Sequence, residues 1–321
     1  MMVRLLKESE KNKWNNFVQN SNQGSIFCSY EWIKTVTNND FKILTYEENR
    51  NVIAGLPLPF INSKNIKMPK LTQKLGVLFD NFENMKYNKR LEKEKKIIYE
   101  FLNEIKGKYK SFYMNFDWHF DNWLPFYWQG FKQTTRYTYV IDFEKGIDNI
   151  WKELDQNTRN TIKKAKKNNI KVVESFDIKE FYKFNKMTFS RQSMNIPYSF
   201  EYVEKIYTNL KNNIKIFKTI DEKGNIHAMN FYIQDNKAVY YLMSGSDPKF
   251  RKYSSQNLLQ WEAIKYYSSK VRYFDFEGSM IESIESNFRK FGTIQKQYFS
   301  IYTADFNYYL KSLIKYILGR S

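Results

Sequence analysis

The stretch Leu154-Asp-Gln-Asn-Thr-Arg-Asn-Thr-Ile-Lys-Lys-Ala-Lys-Lys-Asn-Asn-Ile-Lys-Val172 changes from a helical pattern to a β-branched one. Asn157 or Thr158 can cap the start of the helix, and Asn168-Asn169 can end it in a left-handed turn. A strand at 170–174 should follow. No acid interrupts the cations of this stretch, which are Arg159, Lys163, Lys164, Lys166, Lys167 and Lys171. The sequence therefore predicts a short, strongly basic helix that leads into a strand.

The charge of this helix favours a phosphate-bearing partner, although a run of lysines can also be an ordinary solvated helix face. The whole chain has a net charge of +18 and a pI near 9.5. An anionic partner such as RNA, a nucleotide-linked substrate, coenzyme A or an acidic lipid surface would complement that charge. Part of the excess can also reflect a composition rich in Lys and Asn.

Composition limits the class of protein. The chain has 321 residues, of which 42% are hydrophobic and 18% aromatic, so it can bury the core of one large domain or two ordinary ones. Its one cysteine, Cys28, excludes an internal disulfide framework and fits a reducing compartment. One cysteine and two histidines also argue against a structural zinc site, so we predict no metal.

The sequence repeats one pattern at a spacing of roughly 160 to 175 residues. Each copy has two strands around a polar turn, then a helix and a strand, then a second short helix and an aromatic strand. The matching segments are 41–58 with 214–233, 95–117 with 258–278, and 135–142 with 296–302. Two mixed α/β (α+β) units, 1–143 and 144–321, therefore form the predicted architecture, with a ligand cleft expected between them.

Neither a signal peptide nor a membrane span is predicted, because the N-terminus and the segment 52–62 lack a long apolar run. We therefore expect a cytoplasmic protein. Residues 306–318 place their apolar side chains on one helical face. Such a helix can dock on the protein core or lie at the inner face of an anionic membrane as a peripheral contact.

The quoted stretch resembles the Thr-Arg-x-x-Ile-x-x-Ala signature of the Fem family of non-ribosomal peptidyltransferases, and Ser25 to Lys34 resembles its N-terminal aromatic segment. The second half is similar to BioF-like GNAT acyltransferases at 244–247, 275–278 and 288–292. Both families have a duplicated acyltransferase fold. The resemblance therefore implies two tandem GNAT-like units, the second of them BioF-like.

The resemblance also implies an acceptor site. In the Fem family a lysine after the N-terminal tryptophan and the arginine of the basic helix are thought to hold the diphosphate of a peptidoglycan precursor. The matching positions are Lys34 and Arg159, and Lys163 lies one helical turn after Arg159. A guanidinium can bind phosphate with two hydrogen bonds, and an ammonium adds a point charge. Alternatively, Lys34 is an ordinary surface lysine and Arg159 pairs with Asp155.

The donor site is predicted at 248–257, where acetyl-coenzyme A enzymes of this fold have a glycine-rich turn. This chain has no glycine there, although Ser254 or Ser255 can cap the next helix. The predicted donor-binding residues are Arg251, Lys252, Ser254, Ser255 and Gln256. Since the glycine is missing and the surface is basic, we expect aminoacyl-tRNA as donor, with acyl-coenzyme A as the alternative. No tightly bound cofactor is predicted, and the chain lacks the long helical arm that some Fem enzymes carry.

Asp275 and Glu277 are the predicted catalytic carboxylates, because strand alternation would place both on one face where they could act as general base or bind an amine. They could instead have structural partners such as Arg272. Asp117 and His119 stand at the related place in the first half but are too few for a metal site. His227 is expected to be structural.

These features predict an acyl- or aminoacyltransferase that forms an amide on an amine of a phosphate-bearing cell-envelope precursor. The first alternative is an acyl-coenzyme A-dependent N-acyltransferase that acts on an amino sugar or a lipid-linked saccharide. The second is a non-catalytic protein that binds nucleic acid, including tRNA, or a membrane surface. Motifs of serine hydrolases, nucleoside triphosphatases and dinucleotide oxidoreductases are missing from the sequence.

Overall fold

The computed structural model describes residues 2–62, 64–82, 84–191 and 193–303. The chain divides into two compact units. Unit 1 contains residues 1–136 and 297–321, and unit 2 contains residues 137–296. The predicted amphipathic helix at 306–318 lies outside the described residues.

Unit 1 is built on a mostly antiparallel sheet in the order β1-β2-β3-β4-β6-β13, with β5 paired to β3. Among the described strands of this unit, β4 and β6 pair in parallel. Its elements are β1 (Met2–Leu5), α1 (Lys11–Asn20), α2 (Tyr30–Val36), β2 (Phe41–Glu48), β3 (Asn51–Asn62), β4 (Asn65–Ile66), β5 (Leu78–Phe79), α3 (Tyr87–Ile105), β6 (Ser111–Asn115), α4 (Leu124–Trp128), the start of β7 (Lys132–Asp142) and the end of β13 (Ile294–Tyr302).

The core of unit 1 follows from the periodicity of its helices. In α3 one stripe of apolar side chains is buried, while the charged side chains between them are mostly exposed. In α1, Trp14 is fully buried. A Cβ on Gly55 of β3 would lie 2.2 Å from its ring, which is too close for any side chain. Only glycine at position 55 allows α1 to lie this close to the sheet.

Unit 2 has a sheet in the order β7-β12-β11-β10-β9-β8, and of its described strands β11 and β12 are the pair that runs in parallel. The predicted hairpin at 214–233 is confirmed as the antiparallel pair β9 and β10. Its elements are the end of β7, α5 (Ile147–Glu153), α6 (Gln156–Lys167), β8 (Lys171–Ser175), α7 (Ile178–Arg191), α8 (Phe200–Asn209), β9 (Ile214–Ile220), β10 (Ile226–Gln234), β11 (Ala238–Ser246), α9 (Ser255–Tyr267), β12 (Tyr273–Asp275), α10 (Glu282–Arg289) and the start of β13.

The predicted basic helix is α6, but its start differs from the prediction. Asp155 is the N-cap, and its carboxylate accepts hydrogen bonds from the backbone amides of Asn157 and Thr158. A carboxylate at the N-cap also interacts favourably with the positive end of the helix dipole. The left-handed turn before β8 is confirmed at Asn169, which has a φ of 53°.

Each unit receives its last strand from the other half of the chain. In unit 2 the end of β7 pairs with β12, with Val140 opposite Asp275. In unit 1 the end of β13 pairs with β6, with Ser300 opposite Asn115. The mixed α/β fold class is confirmed. The compact units are interleaved along the chain, whereas the predicted domains 1–143 and 144–321 are contiguous, and that division stays a prediction.

Helices cover both faces of the unit 2 sheet. Asn230 and Tyr232 of β10 contact Gln260 of α9, whereas Phe231 packs against Phe181 of α7 at 5.4 Å between ring centroids. Since successive side chains of a strand point to opposite faces, α9 and α7 lie on opposite sides of the sheet. The β10 strand is therefore buried from both sides.

Gly245 in β11 allows α7 to pack directly on the sheet. A Cβ at this position would lie 2.3 Å from the backbone carbon of Phe184. We expect Gly245→Ala to lower the free energy of unfolding by about 1–3 kcal/mol, since backbone has to move to admit the methyl group. Urea denaturation measures this change. Ser246→Ala, in the same strand, is the control that should stay near wild type; equal stability of both variants would contradict the close packing.

Candidate functional site

The two parallel strands of unit 2 separate where their pairing ends. β11 and β12 are in register from Ala238 opposite Tyr273 to Tyr240 opposite Asp275. Beyond that point β11 continues to Ser246, while the chain after Asp275 stays beside β7, where the Phe276 amide donates to the carbonyl of Tyr139. The two strands thus stop pairing at Tyr240 and Asp275, and we call the point where their pairing ends the opening. Openings of this kind at the carboxyl ends of parallel strands are favoured ligand sites.

A β-bulge shapes the β11 side of this opening. Phe231 pairs with Met243 and Tyr232 pairs with Tyr241, so Leu242 is the extra residue in β11. A bulge bends a strand and changes the direction of its side chains and amides. On the α7 side, Asn185 donates a hydrogen bond of 2.7 Å to the carbonyl of Ser244 and fixes the strand after the bulge.

The segment between β11 and α9 is a 3₁₀ turn, Pro248–Tyr253, followed by Ser254 in a left-handed conformation with a φ of 57°. Ser254 occupies the N-cap of α9, as predicted, but its side chain makes no capping hydrogen bond. The left-handed backbone instead makes the turn that glycine makes elsewhere. Ser255 does not cap the helix either: its Oγ lies 2.7 Å from Nδ1 of buried His227.

His227 is structural, as predicted. Its ring stacks on Phe250 with centroids 4.1 Å apart, and its Nε2 lies 3.3 Å from Asp221. These contacts connect β10, the 3₁₀ turn and the first residue of α9. The imidazole therefore holds the predicted donor segment in position.

Gln256, in the first turn of α9, belongs to a buried polar network that the sequence analysis missed. Its Nε2 donates to Oδ1 of Asn230 at 2.7 Å and to the hydroxyl of Tyr241 at 2.9 Å. Asn230 also donates to Gln260 and Tyr232. Burial raises the pKa of Tyr241 to about 12 despite the hydrogen bonds from its neighbours, so the phenol stays neutral and can donate. The network joins the start of α9 to the bulged strands.

A polar residue in a buried strand could have revealed this network. The segment 227–233 is buried throughout, and Asn230 is its one amide. A buried amide needs hydrogen-bond partners, so its presence in an apolar strand predicts further polar side chains nearby. Those partners come from β10 itself, β11 and α9, and their identity depends on the tertiary structure.

The other predicted donor residues lie on the surface. Arg251 and Lys252 are exposed on the 3₁₀ turn, and the ammonium of Lys252 lies 5.2 Å from the ring centroid of Tyr253. Both cations can reach an anion near the start of α9 through side-chain motion. Their role in donor binding stays a prediction.

Asp275 lies at the point where the strands separate. It is buried, and its Oδ1 accepts hydrogen bonds from the hydroxyl of Thr138 at 2.5 Å and from the backbone amide of Glu277 at 2.8 Å. Arg272 pairs with Asp142 and Glu144 instead, so the predicted alternative partner is wrong.

Glu277 is also buried, but it does not continue the strand. β12 ends at Asp275, and Glu277 has a φ of 65°. The expected alternation of the two carboxylates along one strand is therefore wrong, because a left-handed residue reverses the chain direction. Gly278 follows with a φ of 64°, and a Cβ there would lie 2.0 Å from the carbonyl oxygen of Tyr137. Non-glycine residues held in this conformation are frequent at functional sites.

Arg159 supports a helix end in the structure. Its Nη1 donates to the carbonyl oxygens of Lys152 and Leu154, both at 2.6 Å, and to that of Trp151 at 3.4 Å. These carbonyls belong to the C-terminal end of α5, where the helix dipole favours a cation. These contacts take the place of the alternative pairing with Asp155. Lys163, the third predicted acceptor residue, is exposed on α6.

Lys34 of unit 1 lines an open cavity of about 480 Å³ together with Glu8, Tyr30 and Lys42. Its ammonium donates to Glu8 at 2.8 Å. This hydrogen bond lowers the pKa of Glu8 and raises the pKa of Lys34, so both groups are charged at neutral pH. A surface pair of this kind is weak and can open for a stronger anion.

Asp117 and His119 form a buried cluster with Lys74 in unit 1. The Lys74 ammonium lies 3.4 Å from the Asp117 carboxylate, and Nδ1 of His119 lies 2.6 Å from Oδ1 of the same carboxylate. Burial alone would raise the pKa of Asp117, but Lys74 and the hydrogen bonds from His119 outweigh it and hold the pKa below its ordinary value. Sequence analysis missed Lys74. Among the described residues, no group of three or more His, Cys, Asp or Glu could hold a metal ion.

Comparison with known proteins identifies the fold. Residues 154–282, which include the separated strands and α9, match the family model described as an acetyltransferase (GNAT) domain. The solved structure of FemX is 16% identical, covers 93% of this chain and 97% of its own, and has a TM-score of 0.69. The chain has a tandem GNAT acyltransferase fold. No curated protein matches the sequence significantly.

Two further structures share this GNAT fold. L-PGS from Bacillus licheniformis is 12% identical, with 97% of each chain covered and a TM-score of 0.59. A tandem GNAT protein from the clavulanic acid biosynthesis pathway is 8% identical, with 94% of this chain and 98% of its own covered and a TM-score of 0.51. The predictions of a Fem-like tandem GNAT fold and of an acyltransferase are confirmed. The donor, the acceptor and the site residues stay predictions.

The contacts of Arg159 lead to a stability prediction. We expect Arg159→Ala to lower the free energy of unfolding by about 1–2 kcal/mol, because charge-assisted hydrogen bonds to three carbonyls are lost. Lys163→Ala, on the exposed face of the same helix, should leave stability unchanged. Chemical denaturation of both variants tests the difference; a fully stable Arg159→Ala protein would show that the guanidinium has no structural role.

The Lys74–Asp117 pair leads to a pH prediction. Asp117→Asn should cost about 3–5 kcal/mol at neutral pH, because it leaves the Lys74 ammonium buried without its counter-charge. The folded-state pKa of Asp117 is depressed. The ionised carboxylate therefore contributes fully to the free energy of unfolding above the unfolded pKa of about 3.9, and this contribution disappears as pH falls through the folded pKa. The stability gap between wild type and Asp117→Asn should therefore narrow only below about pH 4.

Urea denaturation at several pH values measures that gap. Asp121→Asn is a suitable control, because its largely exposed carboxylate lies 3.6 Å from Arg90 and should contribute little. A gap that stays constant from neutral pH to well below pH 4 would argue against the ion pair.

Proposed function

We propose that this protein transfers an aminoacyl group from tRNA to an amine of a phosphate-bearing cell-envelope precursor and forms an amide bond. The observation that carries this proposal is the opening between β11 and β12 at the start of α9, inside a GNAT acetyltransferase domain. The donor carbonyl would enter between the separated strands, where backbone amides can stabilise its developing negative charge.

The proposed reaction needs an uncharged amine. The amine nitrogen attacks the ester carbonyl carbon, the bond from that carbon to the ribose oxygen breaks, and the leaving oxygen takes up a proton. We assign the uptake of the amine proton to Asp275 and Glu277, which lie where the strands separate. Thr138 holds Asp275 in place through its hydroxyl group.

The choice of aminoacyl-tRNA rests on charge. Lys163, Lys164 and Lys167 of α6 are exposed, and the chain carries a net charge of +18. Exposed lysines on a helix attract a nucleic-acid backbone without reading its sequence. The resemblance of the Thr-Arg motif to the Fem family supports an envelope substrate, and we assign the acceptor diphosphate to the cavity that Lys34 lines.

Acyl-coenzyme A is the second candidate donor, and one observation favours it. Ser254 gives the turn before α9 the left-handed backbone that a phosphate-binding glycine would supply, with Arg251 and Lys252 beside it. A diphosphate at a helix N-terminus is stabilised by the helix dipole. The acceptor would then be an amino sugar or a lipid-linked saccharide, and the breaking bond would join carbon to sulfur.

A donor screen decides between these candidates. Radiolabelled aminoacyl-tRNAs and coenzyme A thioesters are each incubated with the protein and a nucleotide-linked muropeptide. Label in the muropeptide from aminoacyl-tRNA supports the first candidate. Transfer only from a thioester, together with a rise in melting temperature on adding coenzyme A, supports the second. Tight RNA or vesicle binding without transfer from any donor would identify a non-catalytic binder.

Lys34→Ala tests the acceptor assignment. We expect KM for the phosphorylated acceptor to rise about tenfold with little change in kcat, because the ammonium would bind the phosphates of the substrate and not its reacting amine. Lys108→Ala is a matched control, since Lys108 also pairs with an exposed glutamate, Glu104. An unchanged KM in Lys34→Ala, measured by steady-state transfer, would remove Lys34 from the acceptor site.

A further inference from the structure

An aromatic surface stands out on α4 of unit 1. Leu124, Tyr127 and Trp128 are 47%, 55% and 54% exposed, respectively. They are spaced three and four residues apart, so they lie on one face of the helix. Scattered apolar residues on a surface are ordinary, but three adjacent large ones on one face indicate a binding surface.

The structure holds this surface rigidly. The opposite face of α4 is buried, with Phe126 packed edge-on against Phe116 and Phe131 at 5.3 and 5.6 Å between ring centroids. Trp123, which precedes the helix, contacts the ring of Tyr127 at 5.4 Å. The exposed rings are thus displayed on a fixed support and do not belong to a loose loop.

Three lysines lie close to α4 in space or in sequence. The ammonium of Lys95 lies 5.9 Å from the ring centroid of Trp128, and Lys106 donates a hydrogen bond to Gln129 directly after the helix. Lys132 is exposed two residues after Gly130. The acid nearest in sequence is Asp121, three residues before the helix, and it lies 3.6 Å from Arg90.

We propose that Leu124, Tyr127 and Trp128, with Lys95, Lys106 and Lys132 beside them, form a surface that docks on an anionic lipid bilayer. Tyr and Trp rings are favoured at the boundary between headgroups and acyl chains, because one end of each ring is apolar and the other polar. Lysines beside them add attraction to anionic headgroups within a Debye length.

The lysines favour a membrane over a protein partner. Protein–protein interfaces are enriched in aromatic residues but depleted in lysine, whereas juxtaposed lysines and aromatic rings are typical of interfacial membrane binding. Among the described residues, no helix is both long and apolar enough to cross a bilayer. This inference does not depend on the proposed reaction.

Vesicle sedimentation with the full chain tests the surface. The protein should sediment with phosphatidylcholine vesicles that contain phosphatidylglycerol, more weakly as salt rises, and little with phosphatidylcholine alone. Trp128→Ala should lower the partition coefficient about tenfold, since a large aromatic side chain no longer enters the lipid. Phe176→Ala removes a residue of unit 2 that is 70% exposed and should bind like wild type. Melting temperatures establish that each variant is folded.

Several outcomes would overturn the proposal. Wild-type protein that binds neither kind of vesicle, or equal binding by wild type and Trp128→Ala, rules the surface out. If a chain ending at Thr303 loses binding while Trp128→Ala keeps it, residues 304–321 make the contact instead. Loss of self-association in Trp128→Ala, with vesicle binding unchanged, would identify a second copy as the partner. Should Trp128→Ala fail to fold, the pair Lys95→Gln and Lys132→Gln must weaken binding to anionic vesicles.

Discussion

The parallel pairing of β11 and β12 ends at Tyr240 and Asp275, and the candidate site depends on that limit. If the two strands stayed paired, their amides and carbonyls would satisfy one another and leave no opening. Several contacts keep them apart. The Phe276 amide bonds to Tyr139 of β7, Glu277 and Gly278 take left-handed conformations, and the bulge at Leu242 bends β11. The opening is therefore built into the backbone and does not need a mobile loop.

The start of α9 is fixed by buried polar groups of β10 and β11. His227 holds Ser255, and Asn230 with Tyr241 holds Gln256. Buried hydrogen-bonded networks are stable only when their geometry is well defined, so they specify the position of a helix more narrowly than apolar packing does. A helix N-terminus held in this way can receive an anion without first being ordered. Two residues selected from the sequence as ligand contacts thus serve first to position the helix.

The basic side chains of the protein have different roles, some structural and some available for binding. Arg159 stabilises the end of α5, and Lys74 neutralises buried Asp117. Lysines such as Lys163 and Lys167 remain exposed on α6. A cation that already has structural hydrogen bonds exchanges them for a ligand only at a cost, whereas an exposed ammonium gains directly from an approaching phosphate. Among the basic residues of the Thr-Arg motif, the exposed lysines are thus better placed than Arg159 to meet a phosphate.

The sequence by itself determined the repeated α/β pattern, the hairpins, the basic helix and the resemblance to tandem GNAT acyltransferases, because local periodicity and turn residues encode each of these features. It did not determine which strand completes each unit, since β7 and β13 could pair with either half by pattern alone. Nor could it show that Arg159 supports α5 or that Glu277 leaves the strand. Those outcomes depend on contacts between residues distant in sequence, and only the tertiary structure decides them.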